Sequence, residues 1–581
     1  MPGSYSVTFD YNVPILMRDG ITTYADIFRP QVEGAVPALL QRTPYDKSAP
    51  ASRTGTLDAV RAASHGYAVV IQDVRGRYLS EGEFYTFFNE INDGHDTVEW
   101  IASQPWCSGK VGMFGVSYVG ATQWLAAKSG APSLAGIAPG VTASNYQEGW
   151  AWQGGAFELG FNLSWGIGSL GAANWGNLSR KLNLDEDDFE SLLAAKDGLT
   201  EWFQYLPMKD MPQLKDVAPY YYDWLDHPEY DDYWKQVSIE ESHADITVPA
   251  YNFGGWYDIF LGGTIRNYER MSVMGATDIA RSGQRLTLGP WIHGGSPPSV
   301  SGEYNFGTRA AGAAIDLMGE ILRFYDHVIL GEDNGFTDNR PVRVFVMGEN
   351  VWRYEDDWPL SRAVDTDYYL HSGGKANSLN GDGALSPEQP GDEPPDAYVY
   401  NPINPVPTVG GGLCCDPAFM ANGAFDQRWV EGRDDVLVYS TPPLSEDTEV
   451  TGWVKVTLFA SSNAVDTDFT AKLVDVEPSG YARNLTDGIV RARYKNPRQP
   501  ASLIRPGAIN EYEIDLWATS NLFKKGHRIR VEISSSNFPR FDRNMNTGEQ
   551  IGSDLAFVPA LQTVYHTSEY PSRITLPLVP R

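Results

Sequence analysis

From residue 35 onward the chain alternates short apolar runs with stretches of helical periodicity. Val36–Leu40, Tyr67–Gln72, Lys110–Phe114 and Leu134–Ala138 are each a few apolar residues bounded by Gly, Pro or Asp, the pattern of strands buried on both faces. Between them, Asp93–Gln104 puts Val98 and Ile101 on one face and turns Asp96 and Glu99 elsewhere, which predicts a helix. Tyr118–Ser129 predicts another, closed by Gly130. Strands alternating with helices make a parallel sheet covered on both sides, so the expected class is α/β.

After Pro139 this rhythm stops. Residues 145–240 hold seven of the 17 Trp and an acidic run at Asp185–Asp188, with no strand pattern, which predicts a helical insertion. Strand rhythm returns at Ile246–Gly254 and Arg285–Gly289, ahead of an amphipathic helix near Ala311–Leu330. From Pro341 the alternation has period two: Val342-Arg-Val-Phe-Val, Val454-Lys-Val-Thr-Leu-Phe and Arg528-Ile-Arg-Val-Glu-Ile. Glycine and proline between such runs predict an antiparallel β-sandwich. The expected organisation is an α/β core in two pieces, residues 1–144 and 241–340, with a mostly helical insertion at 145–240 and a sandwich at 341–581. Ser372–Pro395, rich in Gly, Ser and Pro, is either a linker or a long loop inside the sandwich.

Composition narrows the function classes. The 42% apolar and 20% charged content is that of a soluble globular protein, and 12% aromatic residues favour large buried clusters or an aromatic-lined ligand site. The formal charge of −29 repels phosphate backbones and anionic lipid, so neither nucleic acid nor a membrane surface is an expected partner. Of the three cysteines, Cys107 stands alone, and the adjacent Cys414 and Cys415 are not expected to bridge, because a disulfide would strain the peptide between them. No CxxC spacing suggests a metal, and no dinucleotide or P-loop motif suggests a nucleotide cofactor. No signal peptide or apolar run of membrane-spanning length is visible, so the expectation is a cytoplasmic enzyme, monomer or homodimer, acting on a small molecule.

The chemistry centres on Gly115-Val-Ser117-Tyr-Val-Gly120, which follows an apolar strand and precedes a helix, the setting of a nucleophile elbow. The tight turn needs a small residue two positions before the serine, and Gly115 supplies it. Position +2 is Val119 rather than glycine, and the glycine falls at +3. A serine hydroxyl needs a base, and this fold orders its triad serine, acid, histidine. His293 fits as the base, after the strand Arg285-Leu-Thr-Leu-Gly-Pro-Trp-Ile. His65 and His95 precede the serine, His243 precedes the strand that should carry the acid, and His527 and His566 lie in the sandwich. Asp258, just past Val248-Pro-Ala-Tyr-Asn-Phe, is the acid; its rival Asp245 sits at the wrong end of that strand. The Tyr118 N–H is one oxyanion donor, and Gln41-Arg-Thr-Pro-Tyr45-Asp lies where a second belongs.

Taken together, Arg42-Thr-Pro-Tyr-Asp, Asp73-Val-Arg-Gly-Arg-Tyr-Leu-Ser-Glu-Gly, Gly115-Val-Ser-Tyr-Val-Gly, Gly255-Trp-Tyr-Asp and Gly289-Pro-Trp-Ile-His resemble the bacterial cocaine esterase-like acyl esterases. That group also takes in α-amino acid ester hydrolases, glutaryl acylases and Xaa-Pro dipeptidyl-peptidases. Ala464-Val-Asp-Thr-Asp-Phe-Thr-Ala-Lys-Leu-Val-Asp-Val and Ser534-Ser-Ser-Asn-Phe-Pro resemble its C-terminal domain, so the likeness spans nearly the whole chain. The resemblance implies an α/β-hydrolase with an inserted helical cap and a C-terminal jelly-roll β domain. It implies Ser117, Asp258 and His293 as triad, and Tyr45 with the Tyr118 amide as oxyanion hole. It also accounts for Val119, since family members share Gly-x-Ser-Tyr-x-Gly. Trp150 and Trp165 fall at the spacing of the cap aromatics that hold the acyl group in such esterases, and Arg75 is a candidate brace for the site. The expected activity is hydrolysis of small acyl esters, or amides, through an acyl-enzyme with no metal or cofactor. Two other readings stay open: an Xaa-Pro dipeptidyl-peptidase, which needs carboxylates for a free α-amine, and a non-catalytic binding protein.

Overall fold

The strand order of one sheet decides where chemistry can sit. The computed structural model describes residues 4–496 and 500–580. Ten strands form the first sheet: β1 (Val7–Leu16), β2 (Thr22–Pro30), β3 (Val36–Thr43), β4 (Ala68–Asp73), β5 (Cys107–Val116), β6 (Leu134–Gly140), β7 (Tyr251–Tyr257), β8 (Arg285–Ile292), β9 (Val342–Val346) and β10 (Val351–Glu355). Their order is β1-β2-β4-β3-β5-β6-β7-β8-β9-β10. Neighbours from β4 to β9 run parallel, and β1, β2 and β10 are antiparallel additions at the edges.

Both faces of the sheet are covered, as the continuous apolar runs require. Leu40, Val70 and Met113 join a core with Val98 of α1 (Glu90–Ala102) and Trp124 of α2 (Tyr118–Lys128). Their strand neighbours Leu39, Val69 and Phe114 face the other way, onto Ala62 and Phe324. Every residue of β4 and of β7 is buried, which is why neither shows a polar alternation.

The structure differs from expectation at both ends of this sheet. Val342-Arg-Val-Phe-Val does not open the sandwich: it is β9, paired in parallel with β8, and β10 turns back onto it. Its period-two pattern arises because Arg343 alone is turned outward, its guanidinium over Trp352 and Tyr354 of β10. The strands β1 and β2 lie before the point where the rhythm becomes visible; β1 is the sheet's outer edge and largely unburied, so it carries little apolar signal.

Residues 145–240 hold short helices, among them Leu159–Ser164, Trp175–Leu182, Glu186–Asp197 and Tyr220–Asp226, and one small hairpin, Trp152–Gln153 with Ala156–Phe157. The acidic run is a helix start: the Asp185 carboxylate accepts from the N–H groups of Asp187 and Asp188. After β10 the chain is β-rich, with eleven strands that include Val364–His371, Thr448–Ser462, Asp468–Val476, Asn510–Phe523 and Arg528–Ser534. Their pairings are antiparallel apart from that of Ala384–Ser386 with Leu437–Ser440. Ser372–Pro395 lies inside this domain as a long excursion that carries the short strand Ala384–Ser386, anchored by Ser372 Oγ donating to Asp396 at 2.7 Å. Among the described residues no helix is long and apolar enough to cross a membrane.

The β-rich domain is tied to the cap hairpin by buried charges. Arg540 donates to Asp487 at 2.6 Å and to Gln153 at 3.0 Å, and lies 3.6 Å from Glu158. Arg491 bridges Asp468 at 2.8 Å and Asp542 at 2.9 Å, and Asp542 accepts the Phe157 N–H at 2.7 Å. Burial pushes the Glu158 carboxyl up to about 8 despite Arg540, so Asp487 is the main partner of that guanidinium. Removing one member of such a set leaves an uncompensated buried charge. We therefore expect Arg540→Ala to cost about 3–5 kcal/mol in denaturant unfolding, with Arg540→Lys recovering part of it. A loss under about 1 kcal/mol, the range of an exposed ion pair, would show that the network does not hold the domains together.

Candidate active site

The end of β5 delivers the serine. Ser117 sits at φ 63° and ψ −128°, a strained conformation for a side-chain-bearing residue, held where the strand turns into α2. Its N–H donates to Gly140 O at 3.0 Å, and its carbonyl accepts from Gly120 and Ala121 at 2.8 and 3.0 Å. Gly115 has φ 136°, and a Cβ there would lie 2.2 Å from Val119 Cγ1. At Gly120 a Cβ would meet Thr142 Cβ at 2.8 Å and Gly140 O at 2.9 Å. The close backbone approach therefore falls at +3, and Val119 at +2 packs its side chain over Gly115. The departure from Gly-x-Ser-x-Gly is a matter of which residue faces the next strand.

Two strands along, β7 ends at Tyr257 and β8 at Ile292, and the two residues are paired after a one-residue bulge in β8 between Gly289 and Ile292. The next residues are Asp258 and His293. The His293 Nδ1 and Asp258 Oδ1 are 2.8 Å apart, and the same oxygen accepts the Phe260 N–H at 3.1 Å. Asp258 is 1% exposed. Its carboxylate fixes the proton on Nδ1 and leaves Nε2 as the base. The other eight histidines have partners of their own: His65 with Asp326, His95 with Ser129, His227 with Asp231, His243 with Asn267, His327 with the Glu332 carbonyl, His371 with Glu393, His527 with Asp475 and His566 with Asp396.

Tyr45 lies just past β3. Its hydroxyl accepts from Trp165 Nε1 at 3.0 Å. Burial among cap atoms pushes the phenol up to about 12, so it stays a proton donor through the neutral range. Among the described residues no hydrogen bond joins Ser117 to His293. Tyr118 begins α2, so its N–H has no acceptor within the helix. Its side chain points into the core, where the hydroxyl accepts from Phe87 N at 2.8 Å and donates to Glu90 at 3.1 Å. Arg42 then holds Glu90 at 2.5 Å.

Trp150 and Trp165 do come together, with ring centroids 5.5 Å apart. Trp150 is fully buried, stacked on Phe260 at 4.1 Å, and Phe260 meets the His293 ring edge-on at 5.3 Å. Trp165 stacks on Phe161 at 5.4 Å and spends its indole N–H on Tyr45. Phe161 and Phe260 went unread in the sequence because nothing marks a lone Phe among so many aromatics. Arg75 does not brace the site: it pairs with Asp93 and Asp19, both at 2.6 Å. The brace is Arg77, two residues on in the same motif. Wholly buried, it donates to Pro44 O at 2.7 Å and to Leu170 O and Ser169 O at 2.6 and 2.9 Å, tying the Tyr45 turn to the cap.

The β-rich domain also reaches the site. A Cβ on Gly412 would lie 3.1 Å from the Asp258 carbonyl oxygen, so this loop lies against the Asp258 backbone. Three residues on, Cys414 and Cys415 are joined by a disulfide, contrary to the expectation from their adjacency, with Cys415 in the left-handed region at φ 86°.

Residues 19–295 match the X-Pro dipeptidyl-peptidase (S15 family) domain, and residues 334–575 match the X-Pro dipeptidyl-peptidase C-terminal non-catalytic domain. The chain is 41% identical to cocaine esterase of Rhodococcus sp. (strain MB1 Bresler) over 587 aligned residues, covering 100% of both. Among solved structures it is similar to an aminopeptidase from a marine sediment Thaumarchaeota archaeon, with TM-score 0.80 and 27% identity over 100% of this chain and 97% of that one. An α-amino acid ester hydrolase is equally similar, with TM-score 0.80 and 26% identity over 100% and 97%. On the elbow, the histidine–carboxylate pair and these full-length likenesses, the chain belongs to the S15 family of serine hydrolases, alongside cocaine esterase.

Proposed function

We propose that the chain hydrolyses small acyl esters, and amides more slowly, by acyl transfer from Ser117 to water. The observation that carries this is the His293–Asp258 pair, placed by adjacent parallel strands at the same sheet edge as the Ser117 elbow. Ser117 gives its proton to His293 Nε2 and attacks the substrate carbonyl. Asp258 stabilises the imidazolium without taking the proton. The oxyanion is met by the Tyr118 N–H and the Tyr45 hydroxyl, which Trp165 and Arg77 hold in line. His293 then protonates the leaving group, and water releases the acid by the same steps in reverse.

The aromatic wall of Trp150, Phe161, Trp165 and Phe260 suits an apolar or aryl acyl group, in keeping with the esterase at 41% identity. The three-part division, with a jelly-roll as the last domain and its boundary moved beyond Glu355, belongs to the same proposal. The second reading, cleavage of N-terminal Xaa-Pro dipeptides, is favoured by the names of both matched domains. Parallel assays with a p-nitrophenyl ester and Ala-Pro-p-nitroanilide separate the two, and we expect the ester to be turned over faster.

Ser117→Ala should lower kcat by about 10⁴–10⁶. A purified variant retaining near wild-type ester cleavage would remove the nucleophile assignment. Tyr45→Phe should cost on the order of 10²-fold in kcat with an unchanged circular dichroism spectrum; a change below about threefold takes the phenol out of the oxyanion hole. Trp165→Phe keeps the ring stack and deletes one neutral hydrogen bond, worth about 0.5–1.5 kcal/mol, so its rate should fall only about two- to tenfold.

A further inference from the structure

The disulfide lies beside the catalytic base. One donor atom from each of His293, Cys414 and Cys415 falls within 4.8 Å of the others. Because Asp258 engages His293 Nδ1, Nε2 is the nitrogen left to act as a ligand. Two thiolates and an imidazole are the donor set that selects zinc and similar soft divalent cations over calcium or magnesium. A carboxylate on the far nitrogen also orients the ring, as in carboxylate–histidine–zinc arrangements.

We propose that reduction of the Cys414–Cys415 bond creates, with Nε2 of His293, a three-ligand site for a soft divalent cation, and that filling it arrests the hydrolase. A dithiol reductant supplies two electrons and two protons to the S–S bond and leaves as its own cyclic disulfide. The cation then displaces the two thiol protons and binds both sulfurs and the Nε2 lone pair. That lone pair is the one that would take the Ser117 proton, so cation and catalysis exclude each other. Tetrahedral bonds of about 2.3 Å to sulfur and 2.0–2.1 Å to nitrogen set neighbouring donors about 3.5–3.8 Å apart, so the two sulfurs part once their bond is broken and the nitrogen and sulfurs draw together. Cys415 can supply the movement, since it is exposed and its side chain turns without disturbing the core. Cys414 is buried and anchors the site on the loop that lies against Asp258.

The arrest of catalysis rests on the function proposed above, whereas the cation site rests on geometry alone, and the test separates them. The full chain is reduced with dithiothreitol, desalted without air and titrated with Co²⁺, whose thiolate complexes absorb by charge transfer, and then with Zn²⁺ in a metal buffer while ester cleavage is followed. We expect one equivalent of Co²⁺ to produce the band and Zn²⁺ to displace it. In the reduced enzyme Zn²⁺ should lower the rate by more than about tenfold, reversed by a chelator. The disulfide form and the Cys414→Ser/Cys415→Ser double variant should show no band and little inhibition, each judged against its own metal-free rate. His293→Ala should keep the band and lose about 10–100-fold in Co²⁺ affinity, as expected when a nitrogen ligand is taken away. Absence of the band in reduced wild-type protein overturns the site. Equal Zn²⁺ inhibition of the double variant overturns the arrest by these thiols. If no form cleaves esters, the Co²⁺ titration alone still decides the site, and the proposed function fails separately.

Discussion

The hydrogen bond from His293 to Asp258 is the contact on which the rest of the site depends. It forms because β8 carries one extra residue between Gly289 and Ile292, which shifts the pairing by one and brings Tyr257 level with Ile292, so that the next residue of each strand emerges at the same height. Without that bulge Asp258 would lie level with Ile292, and His293 would emerge one residue out of step with it. The strands themselves are held by burial on both sides of the sheet, and so by the same apolar runs that make them. The geometry of the pair thus joins core packing to one local irregularity.

A second constraint acts on the serine. Its positive φ persists only because the surroundings allow no alternative: Gly115 and Gly120 let the backbone pass close to Val119 and to the Gly140–Thr142 turn, and Gly140 O takes the Ser117 N–H. Beneath the turn, the Tyr118 side chain is fixed by Glu90, and Glu90 by Arg42. Burial favours the neutral carboxyl of Glu90, with Arg42 opposing, so this is a buried pair whose worth lies in orientation more than in net stability. The tyrosine after the serine thus has two parts with different tasks, its amide toward the substrate and its phenol toward the core.

How much of this can be read from the residues depends on the range of the interaction. The elbow is local, and the strand before and helix after it are visible in the pattern, so Ser117 could be named with its neighbours. Asp258 and His293 could be found by asking which acid and which base follow a strand in the right order. The strand at Val342 could not be placed, because period two is the same whether a strand closes one sheet or opens another. Arg75 and Arg77 lie two residues apart in one motif, and only their partners, carboxylates for one and carbonyls for the other, tell which reaches the site. The Cys414–Cys415 bridge went against expectation since geometry argues against adjacent pairs in general, and the left-handed turn at Cys415 is not written in the residue types.

The convergence of three distant segments explains why local motifs underdescribe this site. Tyr45 comes from the turn after β3, its hydrogen-bond donor Trp165 from the cap, and Gly412 against Asp258 from the β-rich domain. The cap in turn is pinned to that domain by Arg540 and Arg491, so the wall around His293 cannot shift without disturbing buried charges. A buried ion network is a poor source of net stability, but it penalises misplacement steeply, since any separation leaves a charge without its partner in a medium of low dielectric. Rigid placement of the cap aromatics matters for the Tyr45 hydroxyl. A backbone amide is aimed by the helix it begins, whereas a tyrosine hydroxyl is aimed only by what surrounds it. Here Trp165 and Arg77 do that aiming, and both depend on where the cap sits. The β-rich domain is in this way coupled to the Tyr45 hydroxyl through packing alone.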